Sequence, residues 1–471
     1  MNKCRACQSL ITLYLSGETT ATAERALTEH LASCGVCRAA FVEETAVGTF
    51  LRTRAARARA MGTTPPWRPG GLGLVPATES RPLHVLQSAG WLIAAACLAL
   101  LLVWVARPEV TQMPSHPKAD SMWAERIDEQ LVVPEGYDVS LFATGIADAR
   151  MLRVTSAGDV LVSSPLSGRV MLLEADRDDD GAADGARVLL DGLIRPNGLD
   201  IAGMYLYVAE EHAVGRIEFD SRSGTVVGDY ERIIDGLPSG GSHWKKTIRF
   251  GPDGLLYVSV GSSCNACVEE DSRRAALLRY TPEGEFVDRY ATGLRNSAGF
   301  DWSPTTGVLY ATDNGRDLLG DDFPPCELNA VVEDGFYGWP FANGTNVPDP
   351  DLAGDAHPAI ATAIEPAHEF RPHNAPLGMA FLRHDGHPPE YQDAAVVALH
   401  GSWDRALKDG YKVVSLHFGP DGSIEERDLL TGFLVDSTAI GRPAEVAEGP
   451  DGSIYVSDDF ASVVYRIRYG A

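Results

Sequence analysis

The feature that most restricts this chain is a turn-and-strand unit that keeps returning after about residue 130. Asp/Gly turns followed by alternating or apolar β-prone runs stand at SAGDVLVSS (156–164), IAGMYLYVAE (201–210), GPDGLLYVSVG (251–261), SPTTGVLYATD (303–313) and GPDGSIYVSDD (449–459). A more diverged copy is FLRHDGHPPEYQDAAVVALHG (381–401). With Gly158, Gly203, Gly254, Gly307, Gly386 and Gly452 as markers, the steps are 45, 51, 53, 79 and 66 residues. Steps of about 45 to 50 residues hold one four-stranded propeller blade each, and the two longer ones imply insertions. A β-sandwich would turn every ~8–12 residues without this longer period. The expected fold is mainly β: a six-bladed β-propeller over residues 130–471. Its ligands are expected where inter-strand loops converge at one end of the central channel.

Upstream, Ala89 to Ala106 (AGWLIAAACLALLLVWVA) runs eighteen residues without a charge. It is expected to form one transmembrane helix within 88–107, with Trp91 and Trp104 near its ends. It lies too far into the chain for a secretory signal. Arg52, Arg54, Arg57, Arg59, Arg68 and Arg81 precede it, whereas Arg107, Lys118 and Arg126 follow. The positive-inside rule then keeps the N-terminus in the cytoplasm and exports the propeller to the periplasm or cell exterior. Residues 45–87 and 108–129 read as linkers. Charge divides the same way: residues 1–86 carry ten Lys/Arg against six Asp/Glu, which leaves 30 against 59, a net of -29, for the rest of the chain. That acidic part is a poor match for nucleic acid or anionic lipid.

Four of the eight cysteines crowd the cytoplasmic end, where a thiol cluster suggests metal before disulfide. His30, Cys34 and Cys37 in HLASCGVC share one side of a helix or its last turn, and Cys4 or Cys7 can complete a tetrahedral zinc site. In so short a head, metal would supply folding free energy. Residues 1–44 are thus read as a small α-helical zinc-binding domain. The run from Cys4 through LITLYLSGE to HLASCGVC resembles the zinc-binding anti-sigma factors, with Ser16 in place of the usual Asp. The resemblance selects Cys4, His30, Cys34 and Cys37 as zinc ligands and implies a sigma factor as the cytoplasmic partner.

Chemistry in the exported part should sit in its loops. In GSHWKKTIRFGPDG, His243 opens a strand beside Lys245 and Lys246 and could accept a proton from a substrate hydroxyl. In GLRNSAG, Arg295 and Asn296 put a permanently charged fork beside an amide, which suits a carboxylate or oxyanion. The stretch from Asp313 to Asp317 (DNGRD) leads through CELN to GFYGWP and can aim backbone carbonyls at a cation. DRDDDGAAD places Asp176, Asp178, Asp180 and Asp184 in a calcium-loop pattern, but Arg187 stands where the closing Glu belongs, so a plain acidic turn is an equal reading. Cys264 and Cys267 are expected to form a small disulfide loop, leaving Cys326 without a partner.

Together with HNAPLGMAF (373–381), HGSWDR (400–405) and GRPAEVAEGPDG (441–452), the first three stretches resemble the soluble propeller-type sugar dehydrogenases that use pyrroloquinoline quinone (PQQ), including the sorbosone dehydrogenase-like branch. The resemblance implies that His243 is the base taking the proton of a sugar's anomeric hydroxyl while hydride passes to PQQ. It implies that Arg295 polarises the accepting carbonyl and that Asn296, His373 and Arg442 contact the cofactor, with Arg405 or Lys408 meeting a PQQ carboxylate. Gly315 and Arg316 match the dipeptide whose main-chain carbonyls hold calcium. Ser262 stands where glucose-oxidising members carry an acidic residue, Arg316 replaces a proline, and one arginine remains where those members have two. The implied protein is a membrane-tethered PQQ- and calcium-dependent oxidoreductase acting on a sugar or related aldehyde. Its rival is a transmembrane regulator whose propeller only senses a ligand.

Overall fold

The computed structural model describes residues 129–354 and 357–470. The expected zinc head, linkers and membrane helix lie outside the described residues. Within them, antiparallel four-stranded blades follow one another six times around a closed ring, the third gaining a short fifth strand, Gly335–Phe336, parallel to its outermost one. The first blade is Leu152–Val154, Val160–Ser164, Arg169–Leu173 and Ala186–Leu190. The second runs from Leu199–Ala202 to Thr225–Ile234, and the third from Ile248–Phe250 to Phe286–Thr292. The fourth runs from Phe300–Trp302 to His368–Phe370, and the fifth from Pro376–Phe381 to Ile424–Leu430. The sixth is built from both ends of the described chain: Pro443–Glu448, Ile454–Asp458 and Val463–Tyr469 are completed by Tyr137–Thr144, which pairs antiparallel with Val463–Tyr469. This last pairing closes the ring and leaves no open sheet edge between first and last blade.

Every glycine marker lies in the hairpin joining a blade's first strand to its second. Five of them, Gly158, Gly203, Gly254, Gly307 and Gly452, have φ between 59° and 89°, a region costly for residues with a Cβ. The long steps hold what the period demanded. Between Gly307 and Gly386 lie the pair Ala342–Asn343 and Val347–Pro348 and a 3-10 turn at Pro358–Thr362. Between Gly386 and Gly452 lies the pair Leu434–Val435 and Thr438–Ala439.

Each interface between adjacent blades has its own apolar core. Phe142, Leu152 and Val464 fill that between the sixth and first blades, and Tyr257, Phe300 and Tyr337 that between the third and fourth. Second strands are buried along their length, as in Leu256–Val260, while outer strands such as Thr225–Ile234 face solvent. Hydroxyls stitch the inner ring. Thr312 Oγ1 accepts from Gly299 N at 3.0 Å and donates to the Leu377 carbonyl of the next blade at 2.8 Å. Ser457 does the same between Glu445 N and the Arg150 carbonyl. These are the Ser and Thr of the repeated LYAT and IYVS runs, so the repeat encodes a polar lock as well as a strand.

Candidate active site

Two kinds of segment meet at one end of the channel: those entering each innermost strand and those leaving each second strand. Together they enclose a cavity of about 260 Å³. His243, Arg295, Asn296, Gly315 and His373 all line it, so the base and the guanidinium expected to act together do open onto one space.

His243 approaches so closely that a Cβ on Gly261 would stand 2.5 Å from its own, so the residue just after this blade's second strand is a glycine. Its Nδ1 lies 2.8 Å from Ser262 Oγ, and that hydroxyl donates its one hydrogen to the Cys264 carbonyl at 2.8 Å. Toward the imidazole Ser262 can therefore only accept, which puts the ring proton on Nδ1 and leaves Nε2 as the lone-pair nitrogen. Burial, then the Arg295 charge, hold the imidazole well below its ordinary pKa. A neutral ring in a fixed tautomer is equipped to accept a proton at Nε2.

Arg295 is 4 % exposed and pinned on every side. Its Nε donates to the Asn265 carbonyl at 2.9 Å, Nη1 to the Asn314 carbonyl at 3.1 Å, and Nη2 to Asn265 Oδ1 at 2.8 Å and Asp317 Oδ2 at 3.2 Å. The turn that carries it hangs on Asp313, whose carboxylate accepts from the backbone N–H of both Arg295 and Asn296. Burial pushes Asp313 up to about 7 against those hydrogen bonds.

His373, at φ 65°, donates from Nε2 to the Gly320 carbonyl at 2.8 Å, with Nδ1 at 3.8 Å from Asp317. Burial would lower its pKa, but the Asp317 carboxylate outweighs it and raises it. Arg405, Lys408 and Arg442 do not line the cavity. Arg405 is spent on the Asp321 carbonyl and Asp322, Lys408 is exposed, and Arg442 donates to the carbonyls of His400 and Gly401. The expectation that Arg405 or Lys408 meets a cofactor carboxylate and that Arg442 contacts the cofactor is corrected accordingly: the loop 400–411 folds back on itself and on residues 318–322.

Other cations line the cavity instead. Arg150 pairs with Asp459, which also meets His400 Nε2 at 2.9 Å. Burial, then Arg442, hold His400 down at about 3, so it is neutral and its Nε2 hydrogen donates to Asp459. Lys245 makes no hydrogen bond or ion pair among the described residues; burial, then Arg150, bring it to about 7. Asn314, His400 and Asp459 occupy matching places, two residues beyond the Thr312, Ala398 and Ser457 positions of their blades, a regularity present in the sequence but masked by their different side chains.

A flat anionic cofactor would suit this lining. Asn197 Oδ1, Ser297 Oγ and Asn314 Oδ1 are buried without partners among the described residues, and Asn197, Ser297 and Asn314 all line the cavity beside Arg150, Lys245 and Arg295. At the dipeptide expected to offer carbonyls to calcium, Arg316 stands in place of the family's proline. The Arg316 side chain turns away from the mouth to grip Asp349 at 2.8 and 2.7 Å and Asp351 at 2.9 Å, both from the long insertion of the fourth blade. Its charge is thus neutralised, and the Gly315 backbone lines the cavity beside Asn314. In the acidic loop, Asp176, Asp178 and Asp184 can each bring one oxygen within 4.8 Å of the others, but Asp180 is not among them. Asp176 is committed to Arg466 at 2.9 Å and to the backbone N–H of Asp180 and Gly181. The four-carboxylate set expected there is therefore corrected: the loop is tied by an ion pair and its own backbone. Cys264 and Cys267 form the expected disulfide, and Cys326 is free and buried.

A closed six-bladed propeller whose mouth sets a neutral imidazole beside a pinned guanidinium falls in the architectural class of the propeller dehydrogenases. More particularly, the Glucose / Sorbosone dehydrogenase family model matches residues 147–464, and the chain belongs to that family. A zinc-finger family model matches residues 4–38. An uncharacterised protein of Borreliella burgdorferi is 29% identical over 361 residues, covering 74% of this chain and 93% of its own length. The pyrroloquinoline quinone-dependent pyranose dehydrogenase of Coprinopsis cinerea is 24% identical over 72% of this chain, a match that takes in 54% of that enzyme. Its PQQ domain in the holo form superposes with a TM-score of 0.61 at 21% identity, covering 72% of this chain and 97% of that one. A calcium structure of a Trichoderma reesei carbohydrate-active enzyme of family AA12 superposes with a TM-score of 0.63 at 20% identity, over 72% and 97% of the two chains.

Proposed function

We propose that the protein is a PQQ- and calcium-dependent oxidoreductase that oxidises a sugar or a related aldehyde or alcohol. The observation that carries this reading is the shared cavity: a neutral His243 with Nε2 unprotonated and Arg295 both line it, among cations suited to a polycarboxylate. Arg295, Asn296, His373, Arg150 and Lys245 would hold the cofactor, and Gly315 and Arg316 would offer backbone carbonyls to calcium, with Asn314 Oδ1 an unpartnered acceptor beside them. PQQ, when bound, supplies the hydride acceptor.

The chain's own part begins with His243 Nε2, which takes the proton of the substrate hydroxyl as the C–H bond beside it breaks. The resulting imidazolium is destabilised by burial and by Arg295, which favours prompt release of the proton. Arg295 cannot swing, because its donors are already held, so its positive field is in place before charge develops.

The same proposal places one membrane helix at 88–107, the head in the cytoplasm and the propeller outside, supported by the arginines ahead of the apolar run. The head would hold zinc through Cys4, His30, Cys34 and Cys37 and bind a sigma factor. Dye-linked oxidation of glucose and other aldoses by the purified chain, supplied with PQQ and calcium, tests the enzymatic reading: turnover is expected with both, and neither turnover nor cofactor binding would defeat it. Co-purification of a sigma factor that survives Cys34→Ser would defeat the zinc-dependent head.

A further inference from the structure

The base and the arginine are far apart in sequence, yet both are held by the same four residues. His243 is fixed through Ser262, whose hydroxyl donates to the Cys264 carbonyl. Arg295 is fixed through the next residue, Asn265, which accepts from Nε at its carbonyl and from Nη2 at Oδ1. Asn265 also clasps the fourth blade, with Oδ1 accepting from Asp317 N at 2.8 Å and Nδ2 donating to the Asp317 carbonyl at 3.1 Å. The flanks are woven in as well: Ser262 N donates to the Arg295 carbonyl, and Ser242 N, next to the base, donates to the Ser263 carbonyl. Glu269 anchors the far side by accepting from Ser263 N and Oγ.

The loop that does this is closed by the Cys264–Cys267 disulfide, with only Asn265 and Ala266 between the cysteines. An unclosed loop at the rim of a propeller would sample many conformations, and two of the acceptors used here, the carbonyls of Cys264 and Asn265, move with the backbone. Closure removes that freedom at the residues that orient the two reacting side chains. Small displacements of such groups cost large factors in rate.

Resting on the function proposed above, we infer that the disulfide-closed loop Cys264–Cys267 is the positioning element of the active site, with Asn265 orienting Arg295 and the Cys264 carbonyl, through Ser262, fixing the proton of His243 on Nδ1. Ser262 is then no mere loss of an acidic residue. It converts a backbone carbonyl of the closed loop into the tautomer lock.

The test uses the full chain as wild type, Asn265→Ala, Asn265→Asp and the double variant Cys264→Ser/Cys267→Ser, with melting temperature recorded for each. The first readout needs no cofactor: carbethoxylation of His243 by diethyl pyrocarbonate, followed by peptide mass spectrometry against pH. Wild type is expected to react at a rate flat over about pH 6 to 8, because its Nε2 is unprotonated and Arg295 is held beside the ring. In Asn265→Ala and the double variant the acid limb should move upward into that range. Asn265→Asp, which keeps the Oδ1 acceptor, should lie closer to wild type than Asn265→Ala does. The second readout is dye-linked kinetics, where kcat should fall about 10- to 100-fold in Asn265→Ala and the double variant, with KM changed less than about threefold. Reactivity profiles of Asn265→Ala or the double variant that superimpose on wild type would overturn the loop's role even if the chain oxidises sugars. A shifted profile in a chain that shows no turnover would uphold the loop and defeat the oxidoreductase reading instead.

Discussion

The two ends of the propeller are built on different terms. At one end the hairpins between first and second strands repeat the same device, a left-handed glycine after a polar turn, in five of the six blades. At the other end no two blades are alike: the third carries a disulfide loop, the fourth carries Gly315 and the long insertion that neutralises Arg316, and the fifth carries a loop folded onto residues 318–322. Repetition stabilises and irregularity does chemistry. A substitution at the hairpin end should therefore cost stability without touching turnover, and one at the mouth should do the reverse.

The largest departure should come from the mouth. His243→Ala is expected to lower dye-linked kcat by about 10²- to 10⁴-fold with cofactor binding retained, checked by kinetics and by fluorescence titration of PQQ. Arg316→Ala sharpens the comparison because it sits at the mouth yet serves stability. It strips the buried Asp349 of its bidentate partner and should cost about 3–5 kcal/mol in denaturant unfolding.

Glu445 tests the wall of the channel between the two ends. It is 1 % exposed, its Oε2 has no partner and its Oε1 is 4.0 Å from Arg153, and burial, opposed by Arg153, pushes it from 4.5 up to about 7. Below its unfolded value both states hold the proton. As pH rises through about 4.5 to 7 the unfolded chain releases it first, so this group's contribution to stability falls over that window and is level above it. Glu445→Gln should flatten that slope and raise stability at pH 8 by on the order of 1–3 kcal/mol, read by thermal melts at several pH values. The smallest effect belongs to the hairpin end. Gly254→Ala meets no neighbour within 4 Å but must adopt φ +78°, and it should lose about 1–2 kcal/mol with kcat unchanged.

The same contrast explains what could be read from the amino-acid order. A turn glycine, held at positive φ in five of the six blades, and a buried β-prone run recur at a fixed place, so the six markers fall in the six equivalent hairpins. His243, Arg295, Asn296, Gly315 and His373 were legible because short motifs carry them to the mouth regardless of loop details. The directions of Arg405 and Arg442 are not legible, because a side chain on an irregular loop is oriented by partners distant in sequence, here Asp321, Asp322 and the carbonyls of residues 400 and 401. That Arg150, Lys245, His400 and Asp459 line the cavity is not legible in the sequence, for the complementary reason. They share a cavity only after the ring closes, although the place two residues beyond the blade hydroxyl is a usable signal for Asp459, as it is for Asn314.

The central claim is that His243 is the proton acceptor for oxidation at this mouth, and single-turnover mixing of the PQQ- and calcium-loaded chain with an aldose reads it directly. Following the absorbance of the cofactor, the account predicts rapid reduction in wild type and a rate at least about 100-fold slower in His243→Ala at equal cofactor occupancy. Equal rates of cofactor reduction in the two proteins would contradict it.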